Sequence, residues 1–594
     1  MRRRLPHSTR RFVPHRRAGR PAPMARPSAG TFATVSALAV LLAAGGQAVA
    51  AGPAVAGPSD TLSPTGANLT KYTSQKLTWS AALCPQEVKE LGKAAARSQC
   101  ARVTAPKDYA DPGKGDITLM VTRTKPENAS HSDRFVFTNP GGPGGPAARF
   151  SVIVAAMSPM GRTETVVGVD PRGTGESTPV SCDQPKSGVK DSHQLTPANV
   201  RALQTAVKAS VDKCVAQHGD YLPYITTDNT ARDHDLVRRL LGADTIDYYG
   251  VSAGTWLGAH YATLFPSHVG RFVLDSNTDF TSSFQTSFGY QPMGFQRRFS
   301  DQFQPWAARH DDTYHLGSTK GAVNATYLRV RKAAVNGELG FFSANVVDNV
   351  MAQQMYSDKG LITAAKFLGF LDEARQGDKF ALYRAFALLS TGSDSYTDNR
   401  EATTFMATTC NDTSWNKDPN YYVGKARSLG PQYPLLGYNQ VVSQCAYWPY
   451  RAKNTTIDLS KAPKILMVDN TLDPATPYEG AVHAHRHAAN TVLLTVNNQG
   501  FHGAVIGSKN TCVTDAAYGF LMNGKQLQRD SVCQGLPLPG DSKVYPVGKQ
   551  VAGPAPSDVQ HRTKTPPHKS ESLGDTILDL LGKLIGDVLG GPHA

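Results

Sequence analysis

The stretch Thr245-Ile-Asp-Tyr-Tyr-Gly-Val-Ser252-Ala-Gly-Thr-Trp256 decides the fold. A β-rich run ends at Gly250, a serine follows between two glycines, and a segment of helical composition begins directly behind it. This is the G-x-S-x-G pattern in a strand–turn–helix setting, which holds a serine hydroxyl clear of a sheet. The glycines permit the sharp turn and leave room for a substrate carbonyl. The pattern predicts that Ser252 is a nucleophile at the edge of a parallel sheet.

Short apolar runs alternate with helical patterns on both sides of this stretch. After an opening antiparallel hairpin, strand-like runs lie at 134–138, 165–170, 271–275, 464–469 and 491–496. Such alternation predicts a parallel sheet covered on both faces. We therefore expect an α/β protein with the α/β-hydrolase fold, a mostly parallel central sheet and an inserted helical cap.

The composition divides the chain into seven parts. We predict a signal peptide (1–50), a flexible segment (51–75), the first part of the α/β-hydrolase core (76–280), the cap (281–455), the second part of the core (456–537), a Pro-rich linker (538–570) and an amphipathic C-terminal helix (571–594).

The first fifty residues have the features of an export signal. An Arg-rich lead precedes the apolar run 32–44, and the small residues Ala48-Val-Ala50 form an A-x-A-type cleavage site. Nine arginines and no acidic residue lie in this part, so the rest of the chain carries +5 rather than +14. A charge of +5 on such a length does not favour a polyanionic partner, and we expect no nucleic acid to bind.

Eight cysteines in an exported chain fit four disulfides. They form four local clusters, and sequential pairing is the simplest of the 105 possible connectivities. The clusters are Cys84/Cys100, Cys182/Cys214, Cys410/Cys445 and Cys512/Cys533.

A serine nucleophile needs a base, and the base needs an orienting acid. In an α/β-hydrolase the acid and then the histidine follow the serine, on loops after late strands. Asp473 follows one late strand and His502 follows the next, so we predict Ser252, Asp473 and His502 as a catalytic triad. Asp469 is the alternative acid, and a helix N-cap is the alternative role of Asp473.

The Gly-rich loop Asn139-Pro-Gly-Gly-Pro-Gly-Gly145 follows an early strand. It lacks the Lys-Ser/Thr of a phosphate-binding loop and suits an oxyanion loop. We expect the N–H groups of Gly141, Gly142 and Ala253 to face the oxyanion. The segment 170–175 is expected to brace this loop, with Arg172 in an internal ion pair.

Five motifs in order resemble one family: residues 139–145, Asp-x-Arg-Gly-x-Gly-x-Ser (170–177), Gly-x-Ser-x-Gly (250–254), Asp-Pro-x-Thr-Pro (473–477) and Gly-x-His-Gly (500–503). Together they are similar to those of the secreted tripeptidyl aminopeptidases of streptomycetes, α/β-hydrolases related to proline iminopeptidases. The resemblance covers roughly residues 75–535. It implies a serine exopeptidase that removes short peptides, typically tripeptides, from free N-termini, and it implies the same three triad residues.

The expected partners are peptides with a free N-terminus, whose ammonium group needs a carboxylate or carbonyl from the cap. Asp412 is one candidate for that carboxylate. A secreted ester hydrolase or lipase with the same triad is the alternative activity, and a non-catalytic surface protein is the third hypothesis. We expect no cofactor and no metal, since His483, His485 and His487 fit a solvated helix.

We expect the mature protein to be extracellular, or associated with the cell wall, without a membrane-spanning segment. The length and the charges of residues 573–591 exclude a spanning helix. We expect this amphipathic segment to dock on the cell surface or to self-associate.

Overall fold

The computed structural model describes residues 61–128, 134–390, 399–453 and 455–553. The predicted signal peptide, the C-terminal helix and residues 554–570 of the predicted linker lie outside the described residues.

The described residues form a nine-stranded sheet in the order β1-β2-β4-β3-β5-β6-β7-β8-β9. The strands are β1 Ser98–Pro106, β2 Asp116–Thr124, β3 Phe135–Asn139, β4 Thr165–Val169, β5 Ile246–Val251, β6 Val269–Asp275, β7 Ile465–Asn470, β8 Thr491–Asn497 and β9 Ser531–Gln534. The pairs β1–β2 and β2–β4 are antiparallel, and all other pairs are parallel. The predicted hairpin and the mostly parallel sheet are confirmed.

Twelve described helices have ten or more residues. They are α1 Ala147–Met157, α2 Pro197–His218, α3 Thr227–Leu240, α4 Ala253–Leu264, α5 Lys320–Val335, α6 Ala344–Gln354, α7 Asp358–Arg375, α8 Lys379–Ser390, α9 Asn399–Asp412, α10 Pro419–Leu429, α11 Tyr478–His487 and α12 Thr511–Asn523. Shorter helical segments Phe284–Gly289, Gln291–Arg297, Arg298–Phe303 and Gln304–Arg309 precede α5.

Helices cover both faces of the sheet, and successive residues of its central strands are buried. In β5, Tyr249 packs in a cluster with Phe150 of α1 and Phe520 of α12. Its neighbour Tyr248 packs on the opposite face in a cluster with Trp256 of α4. Every residue of β5 is buried, as expected of a parallel strand between two helical layers.

Between β6 and β7 the described chain is helical and contains no strand. Its apolar side chains, such as Phe299, Trp306 and Leu368, join the same cluster as Phe150 and Tyr249. Other side chains of the insertion, such as Phe284, Met406 and Trp448, join the cluster of Tyr248 and Trp256 on the opposite face. The insertion therefore shares apolar interior with both faces of the core. Its boundaries at 281 and 455 stay a prediction.

Both ends of the described chain are more ordered than their composition predicts. Leu62, Leu69 and Tyr72 are buried against the core, although 51–75 is predicted to be flexible. In the predicted linker, Asp541 pairs with Arg309 of the insertion. Polar and Pro-rich composition does not exclude packing where a few anchoring side chains find buried partners.

Four disulfides join the cysteines in sequence, as predicted: Cys84–Cys100, Cys182–Cys214, Cys410–Cys445 and Cys512–Cys533. Among the described residues, no helix combines the length and the apolar character needed to cross a membrane.

Candidate active site

Ser252 lies on a strained turn between β5 and α4. Its φ of 59° and ψ of −127° are unusual for a residue with a side chain. Glycines on either side make the turn possible, since a Cβ at Gly250 would lie 2.6 Å from the carbonyl oxygen of Gly254. The Ser252 N–H donates to the carbonyl oxygen of Asp275 at 3.0 Å, which attaches the turn to the end of β6.

Asp473 and His502 are in direct contact. The Nδ1 atom of His502 lies 3.0 and 2.9 Å from the two carboxylate oxygens of Asp473. The alternative acid, Asp469, instead accepts from the main-chain N–H and the side-chain amide of Asn277 at 2.6 and 2.9 Å. The geometry therefore favours Asp473 over Asp469 as the partner of the imidazole.

The other nitrogen of the imidazole, Nε2, is buried and has no hydrogen-bond partner within the described chain. The side chain of His502 is completely shielded from solvent, and Ser252 is 2 % exposed. A buried imidazole whose Nδ1 is held by a carboxylate keeps Nε2 available for a proton from a nucleophile. Catalytic hydrogen bonds are often unmade until substrate binds.

Contacts with the end of β6 bring the His502 loop to the same sheet edge as Ser252. The N–H of Gly503 donates to Ser276 Oγ at 2.8 Å, and the N–H of Ala504 donates to Asp275 Oδ1 at 2.6 Å. Ser252 and the loop after His502 are thus attached to adjacent residues of one strand end.

The Gly-rich loop lies against the nucleophile turn. A Cβ built on Gly141 would lie 2.5 Å from the carbonyl oxygen of Val251 and 2.8 Å from both Ala253 N and Ser252 Cβ. Only a glycine, here with φ of 95°, allows this approach.

The N–H of Gly141 donates to Asn139 Oδ1 at 2.9 Å, so in this structure a side chain already satisfies it. Its predicted role as an oxyanion donor stays a prediction, which this hydrogen bond disfavours. The N–H groups of Gly142 and Ala253 have no protein acceptor within the described residues.

The segment that follows β4 has buried side-chain partners at Asp170 and Arg172, and its predicted bracing of the Gly-rich loop stays a prediction. Ala148 at the start of α1 donates to Asp170 Oδ1 at 2.8 Å, and burial raises the pKa of Asp170 to about 7. Arg172 is fully buried and forms the expected internal ion pair, a two-bond contact with Asp233 at 2.7 and 2.8 Å.

The carboxylate of Asp412 lies at the beginning of α3, and its predicted contact with a substrate ammonium stays a prediction. Its Oδ1 accepts from the N–H of Thr227 at 2.9 Å at the beginning of α3, and burial raises its pKa to about 6. This carboxylate is absent from the described lining of the cavity beside His502. The position of Asp412 two residues after Cys410 does not indicate in which direction its side chain projects from α9.

Two further contacts of His502 are difficult or impossible to predict from the sequence. Thr476 Oγ1 lies 3.4 Å from His502 Nδ1, and the Thr476 N–H donates to Asp473 Oδ1 at 3.0 Å. From the insertion, the carbonyl oxygen of Tyr356 accepts from the His502 N–H at 2.8 Å. The Asp-Pro-x-Thr-Pro motif contains Thr476, whereas a main-chain acceptor at position 356 leaves no trace in the sequence.

A cavity of about 310 Å³ borders His502. It lies between β5, the His502 loop and the beginning of α7, and its lining is mostly apolar, with Phe150, Tyr356 and Ile506 among its side chains. The volume is at the lower end of the range for ligand pockets, about 300–1,000 Å³. The described residues contain no cluster of three His, Cys, Asp or Glu side chains that could hold a metal ion.

Comparisons with known proteins agree with this architecture. The profile described as "alpha/beta hydrolase fold" matches residues 136–422, and that described as "TAP-like protein" matches residues 433–533. The tripeptidyl aminopeptidase of Streptomyces lividans is 34% identical over 73% of this chain and 83% of its own length. Two proteins of Mycobacterium tuberculosis are also similar: serine protease Hip1 (26% identity, 72% of this chain, 85% of the relative) and carboxylesterase B (28%, 72% and 84%).

Proposed function

The chain belongs to the tripeptidyl aminopeptidase family of α/β-hydrolases, and on that premise we propose that it is a secreted serine exopeptidase releasing short peptides, typically tripeptides, from free N-termini. The observation that carries the proposal is the buried Asp473–His502 pair with an unpartnered Nε2, on a loop attached to the same end of β6 as the strained Ser252 turn.

The proposed reaction is acyl transfer in two steps. His502 Nε2 takes the proton of the Ser252 hydroxyl, whose oxygen attacks the scissile carbonyl carbon. The imidazolium then gives this proton to the leaving amine, and an acyl-enzyme forms. Water attacks the ester with His502 again acting as base, which frees the peptide and restores Ser252.

We assign the N–H groups of Gly142 and Ala253 as the oxyanion donors. Each of them lacks a protein acceptor in the described chain and adjoins the Ser252 turn. Preorganised donors of this kind stabilise the charge that develops on the carbonyl oxygen, and each is worth about 100- to 1000-fold in rate.

We assign the helical insertion as a cap that limits access. The burial of Ser252 and of the His502 side chain supports this role, because a folded protein surface does not reach such a site. Secretion is supported by the predicted signal peptide and by the four disulfides, since disulfides persist in oxidising compartments.

An ester hydrolase is the second candidate, supported by the similarity to carboxylesterase B and by the apolar lining of the cavity. Amide and ester substrates pass through the same tetrahedral intermediate. The triad therefore does not distinguish these activities.

The test compares matched chromogenic substrates: a free-amine tripeptide anilide, its N-acetylated form, a single-residue proline anilide and a short-chain ester. We expect the free-amine tripeptide to be cleaved with the highest kcat/KM and the Ser252→Ala variant to be inactive. Equal rates for the acetylated and free forms would contradict exopeptidase activity, and cleavage of the ester alone would favour the second candidate.

A further inference from the structure

Asp275 ends β6 with a carboxylate that is completely buried. Its oxygens accept three hydrogen bonds: from Ala504 N–H at 2.6 Å, from Val505 N–H at 2.9 Å and from the Tyr249 hydroxyl at 2.6 Å. No lysine, arginine or histidine side chain of the described residues forms an ion pair with it. The carboxylate therefore binds main-chain N–H groups of the loop that follows His502.

The main chain at the same position holds the nucleophile. The carbonyl oxygen of Asp275 accepts from the Ser252 N–H at 3.0 Å. The next residue, Ser276, accepts from Gly503 N–H through Oγ and donates its own N–H to the carbonyl oxygen of Val468 in β7. One strand end thus contacts the nucleophile turn and the base loop, and it also contacts the strand that leads to Asp473.

Burying a carboxylate that has no ion-pair partner costs free energy. Burial raises the pKa of Asp275 to about 6, which reflects the cost of a charge away from water. A carboxylate nevertheless has a property that an amide lacks, since both of its oxygens accept. Two adjacent N–H groups, those of Ala504 and Val505, need both acceptors. Chains usually retain locally unfavourable groups where function requires them.

We propose that Asp275 is a positioning residue that sets the separation between Ser252 and His502. Its carbonyl oxygen holds the serine turn, and its carboxylate holds the loop of the base, so the two reacting groups share one rigid support. This inference rests on the proposed function only in requiring that Ser252 and His502 react together.

An amide at position 275 tests the role with little change in volume. Asparagine has one acceptor oxygen, so either Ala504 N–H or Val505 N–H loses its partner and the loop shifts. A misplacement of about 1 Å at a reacting group costs about 100-fold in rate. We expect Asp275→Asn to lower kcat by about that factor and to leave KM for the tripeptide anilide within twofold.

The matched control is Asp469→Asn. Asp469 is also a buried carboxylate, it lies near the end of the adjacent strand β7, and among the described residues its two oxygens bond only to Asn277. This variant should keep kcat within threefold of the unmodified protein. A milder second variant, Ser276→Ala, removes the one hydrogen bond that Ser276 Oγ accepts from Gly503 N–H. It should lower kcat by about fivefold, which corresponds to one hydrogen bond of about 1 kcal/mol.

The deciding readout uses a fluorophosphonate on the full chain, so that peptide specificity does not enter. Ser252 Oγ bonds to phosphorus, fluoride leaves with the P–F bonding pair, and His502 takes the serine proton. We expect the labelling rate to fall about 100-fold in Asp275→Asn, with a melting temperature close to that of Asp469→Asn.

Labelling of Asp275→Asn at the unmodified rate would overturn the proposal, as would equal losses in Asp275→Asn and Asp469→Asn. If Asp275→Asn does not fold, Ser276→Ala decides, and an unchanged labelling rate in that variant refutes the shared support. Failure of the exopeptidase assignment would appear instead as normal labelling without anilide cleavage in the unmodified protein.

Discussion

Replacing Gly141 by alanine should disable the nucleophile turn while leaving the fold intact. The new Cβ would lie 2.5 Å from the carbonyl oxygen of Val251 and 2.8 Å from Ala253 N. Ordinary contact begins near 3.4 Å, so one of the two loops must retreat by about 0.9 Å. The contacting atoms are all main chain or Cβ, so no flexible side chain can absorb this movement.

The expected loss in kcat/KM is about 100- to 1000-fold. A misplacement of about 1 Å alone costs about 100-fold, and the loss of one oxyanion donor costs about 100- to 1000-fold, or about 2.7–4 kcal/mol in the barrier. Both estimates describe the same displacement of Ala253 relative to Gly142, so they are not added. The measurement is kcat and KM with the free-amine tripeptide anilide.

Gly115→Ala is the matched control, because Gly115 has a similar φ of 107° and nothing within 4 Å of its Cβ position. Each variant should lose about 1–2 kcal/mol of unfolding free energy from left-handed strain, measured by urea denaturation. Gly115→Ala should keep full activity. If Gly141→Ala keeps kcat/KM within threefold of the unmodified protein, the assignment of this loop to the oxyanion site is refuted.

Asp473→Asn should lower kcat by about 10⁴-fold, because an amide no longer fixes the tautomer of His502, and a loss below tenfold in steady-state kinetics would contradict the triad. Arg298→Met removes the guanidinium that donates to Asp358 at 2.5 Å. Asp358 is partly exposed and also accepts from Gln499, so urea denaturation should show a loss of about 1.5–3 kcal/mol, and a loss below about 0.5 kcal/mol would contradict a role of this pair in stability. Because burial raises the pKa of Asp170 to about 7, its contribution to stability is complete below its unfolded pKa and is lost as the pH rises through 7. The slope is at most about 1.4 kcal/mol per pH unit, and Asp170→Asn should flatten the fall in melting temperature between pH 5 and 7.5, whereas an unchanged slope would exclude this carboxyl as its source.

The sheet and the reacting residues were accessible from the sequence because their signals are local. Largely apolar runs such as those of β7 and β8 indicate buried parallel strands. The order of Ser252, Asp473 and His502, each placed after such a run, follows from the geometry of a parallel sheet, whose strand ends meet at one edge.

The contacts that position the candidate site residues could not be predicted from the sequence, since they depend on distances between segments far apart in the chain. Gly141 donates to Asn139, two residues away, yet the motif reads equally well with that N–H turned towards substrate. Asp412 caps α3 instead of facing the cavity, because the rotation of α9 is set by tertiary packing. The sequence predicts the strand end at Asp275, but the main-chain partners of its carboxylate, at Ala504 and Val505, lie more than two hundred residues further along the chain.

The hydrogen bond from His502 N–H to the carbonyl oxygen of Tyr356 constrains how enzymes of this architecture can diverge. Because the acceptor belongs to the main chain, any residue at position 356 can supply it, although the Tyr356 ring also packs edge-on against the imidazole, with centroids 5.6 Å apart. Insertions or deletions between α6 and α7 would move that oxygen away from the loop of the base. Substitutions elsewhere in the cavity wall can therefore alter substrate preference at less risk to turnover than a change in the length of this connection.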